Sequence, residues 1–199
     1  MRRLFVYGWL LLLVAGIASF FYYNEWKYSL PTPIPAGYIA VQTGTKINFP
    51  QLNNTSPGKP VFLHFFNPDC PCSRFNMEHV RSLVKKYGDK IDFKIVLVTA
   101  KPYTEKQVQD RFEIMIPVLH DSTIAPSCGV YSTPQAVILD GEHRLFYRGN
   151  YNRSRYCTDK KTSYASIALN ALLQKNGNSV ADPFALTAYG CSLPGCNKQ

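Results

Sequence analysis

The sequence predicts an α/β domain with a mixed central sheet, carried behind an N-terminal transmembrane helix. Three observations predict it. An uncharged, mostly apolar run from Leu4 to Tyr23 follows Met1-Arg2-Arg3. A strand–helix–strand pattern occupies 61–98, and such a unit demands a right-handed crossover and a parallel strand pair. A strand–turn–strand over 135–148 then adds antiparallel strands, and a helix closes the domain.

At 199 residues the chain suits one domain plus an appendage. It is basic, with 22 Lys+Arg against 13 Asp+Glu and a net charge of +9. The basic residues are scattered, apart from pairs such as Lys85-Lys86 and Lys160-Lys161. There is no basic stripe interleaved with aromatics and no nucleic-acid motif. The charge therefore reads as a solvated basic surface, and no nucleic-acid partner is expected.

The apolar run from Leu4 to Tyr23 is long enough as a helix to cross about 30 Å of bilayer core. Arg2 and Arg3 favour a cytosolic N-terminus with the remainder exported, on the periplasmic side in a bacterium. Phe20, Phe21, Tyr22, Tyr23 and Trp26 form an aromatic cluster at the far interface. The rival reading is a cleaved signal peptide, with Gly16-Ile17-Ala18 as a small-x-small site. The bulky aromatics beyond it favour an uncleaved single-pass anchor. No cysteine lies near the segment, which excludes a bacterial lipid anchor. Export makes disulfides chemically plausible for the six cysteines at 70, 72, 128, 157, 191 and 196.

The expected organisation is an anchor over 1–24, a Pro-rich linker over 25–37, a domain over 38–175 and a cysteine-containing tail over 176–199. Pro31, Pro33 and Pro35 stiffen the linker. Tyr38–Val41 and Ile47–Phe49 flank Gly44-Thr45-Lys46 and predict a small hairpin. Val61–Phe66 is apolar except for His64, as suits a central strand buried on both faces. Met77, Val80, Val84 and Tyr87 recur at helical spacing, and Gly88 is the natural stop. Phe93–Val98 is a second buried strand. Thr104–Phe112 reads as a short polar helix, and Ile116–Leu119 as a strand whose proline favours its start or an edge. Ser122–Val130 is a turn or irregular helix. Gln135–Leu139, the Asp140-Gly141 turn and Arg144–Arg148 form a hairpin. Thr158–Asn176 is the closing helix. The tail beyond Asp182 shows no clear element.

The chemistry concentrates in Asn67-Pro68-Asp69-Cys70-Pro71-Cys72-Ser73-Arg74, two cysteines one residue apart where a strand gives way to a helix. A thiol at a helix N-terminus meets unpaired backbone N–H groups and the positive end of the dipole, which stabilise thiolate. Pro71 suits the first helical position. Asp69 is placed to cap the helix, although its charge opposes thiolate formation.

Two blocks carry a family resemblance over about 38–175. Val61-Phe-Leu-His-Phe-Phe-Asn-Pro-Asp-Cys-Pro-Cys-Ser-Arg resembles the strand and cysteine motif of the thioredoxin superfamily. Gly129-Val-Tyr-Ser-Thr-Pro-Gln-Ala-Val-Ile-Leu-Asp-Gly is similar to that family's cis-proline loop and following hairpin. The resemblance implies a thioredoxin-like three-layer fold and thiol–disulfide oxidoreductase activity on exported protein thiols or disulfides. A membrane electron donor is the alternative partner, and no cofactor is implied. It makes Thr133-Pro134 a cis dipeptide that pairs with substrate backbone. It also puts His64 where the family commonly has a buried proton-moving acid; imidazole titrates near neutrality. The departure is the spacing: Cys70-Pro71-Cys72 has one intervening residue where the family motif has two, so an intramolecular disulfide would close a small, strained ring.

The resemblance implies catalytic roles for Cys70 and Cys72. It also places Cys128 on their side of the domain, as a resolving thiol, a third metal ligand or a small buried hydrophobe. Cys157, Cys191 and Cys196 are structural-disulfide candidates: Cys191 and Cys196 bridge across their Ser-Leu-Pro-Gly turn, or Cys157 takes one of them. The competing function is a copper-binding protein or chaperone using Cys70, Cys72 and either Cys128 or His64, since soft thiolates select Cu(I). A peroxiredoxin fits poorly, because Asn67 stands where its hydroxyl residue belongs. A purely structural Cys70–Cys72 pair fits a helix N-terminus beside such a loop poorly as well. His79, His120 and His143 are assigned no role.

Overall fold

The structure is a computed structural model and describes residues 2–26, 30–154, 156–177, 180 and 182–193. The chain divides into two compact units, Met1–Pro31 and Thr32–Gln199. The first is built on helix α1 (Arg2–Phe21), whose side chains are all exposed. By length and composition α1 can cross a membrane.

In the second unit the chain runs β1 (Val61–Phe66), α2 (Pro71–Tyr87), β2 (Asp92–Leu97), α3 (Glu105–Phe112), β3 (Val118–Leu119) and α4 (Ile124–Ser127). It continues through β4 (Ser132–Thr133), β5 (Gln135–Leu139), β6 (Leu145–Gly149), α5 (Tyr164–Leu173), α6 (Pro183–Leu186) and β7 (Cys191–Ser192). The main sheet has the order β3-β2-β1-β5-β6. Strand β1 lies at its centre, parallel to β2 and antiparallel to β5. This mixed sheet, built on a strand–helix–strand unit followed by a hairpin, is thioredoxin-like, as the two sequence blocks imply.

Every residue of β1 is buried, which explains its nearly unbroken apolar sequence. Strand alternation sends Phe62 and Phe66 to one face and Val61, Leu63 and Phe65 to the other. The first face packs with Met77, Val80 and Leu83 of α2 and Ala165, Ala168 and Leu169 of α5. The second packs with Ile47, Phe49 and Leu52 and with Ile124, Ala125 and Cys128. Thr104 caps α3 in a capping box with Gln107.

Three expectations need correction. No hairpin forms over 38–49. That segment lies along the outer edge of β6 instead, with Gly44 N donating to Leu145 O at 2.7 Å and Leu145 N to Thr45 O at 2.9 Å. An open sheet edge offers unpaired backbone groups, and pairing there satisfies both partners. The closing helix is shorter than its periodicity suggests, running Tyr164–Leu173. The tail is not without elements: Asp182 caps α6 by accepting from Phe184 N. Tail and domain are latched together. Asn150 Nδ2 donates to Phe184 O and Thr187 O, both at 2.6 Å, and the Tyr164 hydroxyl donates to Asp182. At the other end, Thr32 N donates to Ala188 O at 2.8 Å, so the compact unit takes in part of the proline-rich stretch.

Candidate functional site

Cys70 occupies the N-cap of α2, with extended backbone, and Pro71 takes the first helical position. The turn before it is built locally. Cys70 N donates to Asn67 O at 3.1 Å, and Asp69 N to the Asn67 side chain at 3.0 Å. Ser73 Oγ accepts from Asn67 N at 3.3 Å. No side chain caps the helix. Asp69 does not take that role: its carboxylate accepts from the Tyr103 hydroxyl at 2.9 Å and pairs with Lys101 at 3.3 Å. The Tyr103 hydrogen bond, helped by Lys101, holds the Asp69 carboxyl below the usual range. The N-terminal amides of α2 are thus left without a side-chain cap, and Cys70 stands at the positive end of the helix dipole.

Cys70 is disulfide-bonded to Cys191, 121 residues away in sequence. Cys191 pairs with neither Cys157 nor Cys196, the partners considered from sequence; Cys196 lies outside the described residues. Cys72 is buried and not disulfide-bonded, and its sulfur lies within 4.8 Å of both bridge sulfurs. The bridge is set by β7, which pairs antiparallel with β4 so that Thr133 faces Cys191 and Ser132 faces Ser192. The Thr133–Pro134 peptide is cis. Gly190 makes the approach feasible: a Cβ there would meet Thr133 O at 2.2 Å, and its φ is +149°. Thr32 Oγ1 closes the other side, 2.9 Å from Ser132 Oγ and 3.2 Å from Gly190 O.

His64 lies fully buried, its Nδ1 2.6 Å from the Tyr151 hydroxyl and its Nε2 without a hydrogen-bond partner. Burial pushes its pKa down to about 3. The near-neutral titration expected of an imidazole is therefore lost here, and the ring is neutral through the physiological range.

Cys128 does not join the sulfur group. It is fully buried on the opposite face of β1, at the C-cap of α4, and burial pushes its thiol up to about 12. Cys157 donates to Asn76 Oδ1 at 2.7 Å, and burial likewise raises it to about 12. The three sulfurs that gather, among the described residues, are those of Cys70, Cys72 and Cys191. Cys191 is the member that sequence reasoning missed; its one local signal was a glycine directly before a cysteine.

A family model described as Domain of unknown function (DUF6436) matches residues 40–193. Comparison with curated proteins finds no match. Among solved structures, the chain is similar to a hypothetical protein from Sinorhizobium meliloti 1021. That likeness has 19% identity and a TM-score of 0.64, covering 78% of this chain and 95% of that one. An uncharacterized conserved protein from Geobacillus kaustophilus is similar at 18% identity and a TM-score of 0.63, covering 82% and 97%. The thioredoxin domain of a thiol-disulfide oxidoreductase from Bacteroides vulgatus aligns at 16% identity and a TM-score of 0.45, covering 61% and 98%.

Proposed function

This chain belongs to the family of domains of unknown function DUF6436, and we propose that it is a membrane-anchored thiol–disulfide oxidoreductase acting on the disulfides of exported proteins through Cys70 and its neighbouring thiols. One observation carries the reading. The Cys70 sulfur, at a helix N-terminus, is already joined to an extended segment that pairs with Thr133. That is the geometry a mixed disulfide with a polypeptide requires.

In the reduced protein the Cys70 thiolate is stabilised by the α2 amides and attacks a partner disulfide. A bond forms between Cys70 Sγ and one partner sulfur, and the other leaves as thiolate. A second thiol of the protein, for which the sequence offers Cys72 or Cys128, then attacks Cys70 Sγ and releases the partner; Cys128, on the other face of the sheet, is the worse placed of the two. Helix α1 anchors the chain, Arg2 and Arg3 hold its N-terminus in the cytosol, and the domain faces the exported side. The partners are exported protein thiols and disulfides, with a membrane dithiol donor restoring the reduced form.

A second reading is favoured by the three sulfurs within 4.8 Å of one another. Once the bridge is reduced, Cys70, Cys72 and Cys191 suit a soft ion such as Cu(I), with Cys191 in the third place that the sequence offered to Cys128 or His64. A thiol census by mass spectrometry before and after mild reductant, with metal analysis of the same sample, separates the two. Reversible oxidation of Cys70 without bound metal is expected. Stoichiometric copper or zinc that shields Cys70 and Cys72 from alkylation would sink the redox reading.

A further inference from the structure

We propose that Cys191 is the resolving thiol of this protein, so that the working disulfide is Cys70–Cys191 and the tail strand is a built-in occupant of the substrate edge. The inference rests on the oxidoreductase reading and names the residue that completes it.

The placement of the tail is over-determined. Strand β7 uses the backbone of Ser132 and Thr133, the same edge an extended peptide would use to bring its cysteine to Cys70. Gly190 is the residue type that tolerates both the φ of +149° and the contact with Thr133 O. Thr32 bonds to strand and edge together, through Ser132 Oγ and Gly190 O. Asn150 holds the chain entering the strand through Phe184 O and Thr187 O. A merely adventitious bridge would need none of these. The strand is only two residues long, and Cys191 is half-buried, so once the bridge is cut, lifting the segment requires breaking a short pairing with Ser132 and Thr133 and the Thr32 bond to Gly190 O.

Cys72 is less well disposed to close on Cys70. Its sulfur lies within 4.8 Å of the Cys70 sulfur, but it sits inside the first turn of α2, and a Cys-x-Cys bond would close a small, strained ring. Bonding Cys70 to Cys72 would distort the turn whose amides activate Cys70. Bonding Cys70 to Cys191 leaves α2 intact, as the structure contains it.

The steps balance. An external dithiol gives two electrons and two protons to the Cys70–Cys191 bridge, producing two thiols and its own disulfide. The tail strand leaves the Ser132–Thr133 edge. Cys70 attacks a substrate disulfide and keeps one substrate sulfur in a mixed disulfide; the other departs as thiolate and takes up a proton. Cys191 then attacks Cys70 Sγ. The Cys70–Cys191 bond forms, the mixed disulfide breaks, and the second substrate sulfur leaves and is protonated. Because substrate and tail need the same backbone groups, the returning strand also expels the product. The substrate class follows from the tail's shape: an extended segment with a small residue before its cysteine.

The test is a single turnover of the full-length protein in detergent, reduced with dithiothreitol and then freed of it. The probe is the symmetrical disulfide of a Tyr-Gly-Cys-Ser amide, copying Tyr189–Ser192. The native chain is expected to release both peptide thiols and to keep no adduct. Cys191→Ser is expected to release one equivalent and to hold the other on Cys70, seen as a peptide mass increment. Release of both equivalents by Cys191→Ser, at the native rate, overturns the proposal while leaving the oxidoreductase reading standing. If Cys191→Ser releases neither, Gly190→Val decides, since it keeps the thiol but spoils the strand's approach. Its second release must then be slower than its first, and an undiminished second release overturns the proposal. Cys70→Ser distinguishes the parent reading, which fails if that variant reacts as the native chain does.

Discussion

Cys70 and Cys128 are both buried, and they differ in the helix end at which they stand. Cys70 stands at the N-cap of a 17-residue helix, at the positive end of its dipole, and its partner Cys191 is half-buried on a short strand. Cys128 stands at the opposite kind of end, the C-cap of a four-residue helix, among Val61, Leu63 and Leu139. There burial disfavours the thiolate, and the Arg148 guanidinium offsets it only in part. Cys157 is similarly removed, its thiol committed to Asn76. What separates Cys70 from Cys128 is helix polarity, since burial is common to both.

The largest expected effect breaks or confirms that contrast directly. Cys128 and Cys157, each pushed up to about 12 from an ordinary value of 9.0, hold about a thousandfold less thiolate at neutral pH than an unperturbed thiol. After mild reduction, iodoacetamide should label Cys70 and Cys191 in the folded protein. Cys128 and Cys157 should react only once urea unfolds it, as peptide mapping against denaturant concentration would reveal. Cys128→Ala should keep peptide-disulfide exchange at the cost of about 1–2 kcal/mol of stability. Equal labelling of Cys128 and Cys70 in native conditions would erase the distinction.

Next comes the buried imidazole of β1. His64 has a folded pKa near 3 against 6.5 unfolded. The unfolded chain therefore binds the extra proton first. Stability is complete above about pH 6.5 and falls as pH drops toward 3, by at most about 1.4 kcal/mol per unit. Urea midpoints at pH 7, 6 and 5 should show the slope, and His64→Leu should flatten it even if that variant starts less stable. Equal slopes would mean that the imidazole is protonated in the folded protein, and would restore it as an acid near neutrality. Tyr151→Phe should cost about 1–3 kcal/mol, because it strands the second ring nitrogen in the core as well.

Local chemistry made most of the sheet legible. The apolar run of β1, the Gln135–Leu139 strand with its Asp140-Gly141 turn, and the Thr104 cap are all signals contained within a few residues. The segment over 38–49 was misread because its hydrogen-bond partner is β6, about a hundred residues away, and turn residues alone cannot name a partner. The site divides along the same line. Cys70 at a helix start was legible from Pro68 through Arg74. Cys191 was not, because what places it is an accumulation of distant contacts: Thr32, Ser132, Thr133 and Asn150. The family resemblance implies a place for Cys128 on the Cys70 side, whereas the α4 turn packs it against the other face of the sheet.

The smallest expected effect sharpens the contrast from within the reactive set. Asp69 precedes Cys70 and stays ionised, because the Tyr103 hydroxyl and then Lys101 hold its carboxyl low. Its charge works against the α2 dipole, the feature that separates Cys70 from Cys128. Asp69→Asn should therefore raise the alkylation rate of reduced Cys70 at neutral pH by about threefold, the scale of one charge at a helix end. The gain should vanish at high pH, where Cys70 is wholly thiolate, and shrink in 1 M salt, where the Debye length is about 3 Å. A slower Cys70 in Asp69→Asn would give the residue a different task. Its bonds to Tyr103 and Lys101 would then matter more for holding the turn over 67–70 than its charge matters for the sulfur. Tyr103→Phe, which loosens the turn while sparing the charge, should in that case slow Cys70 as well; a purely electrostatic Asp69 predicts almost no change there.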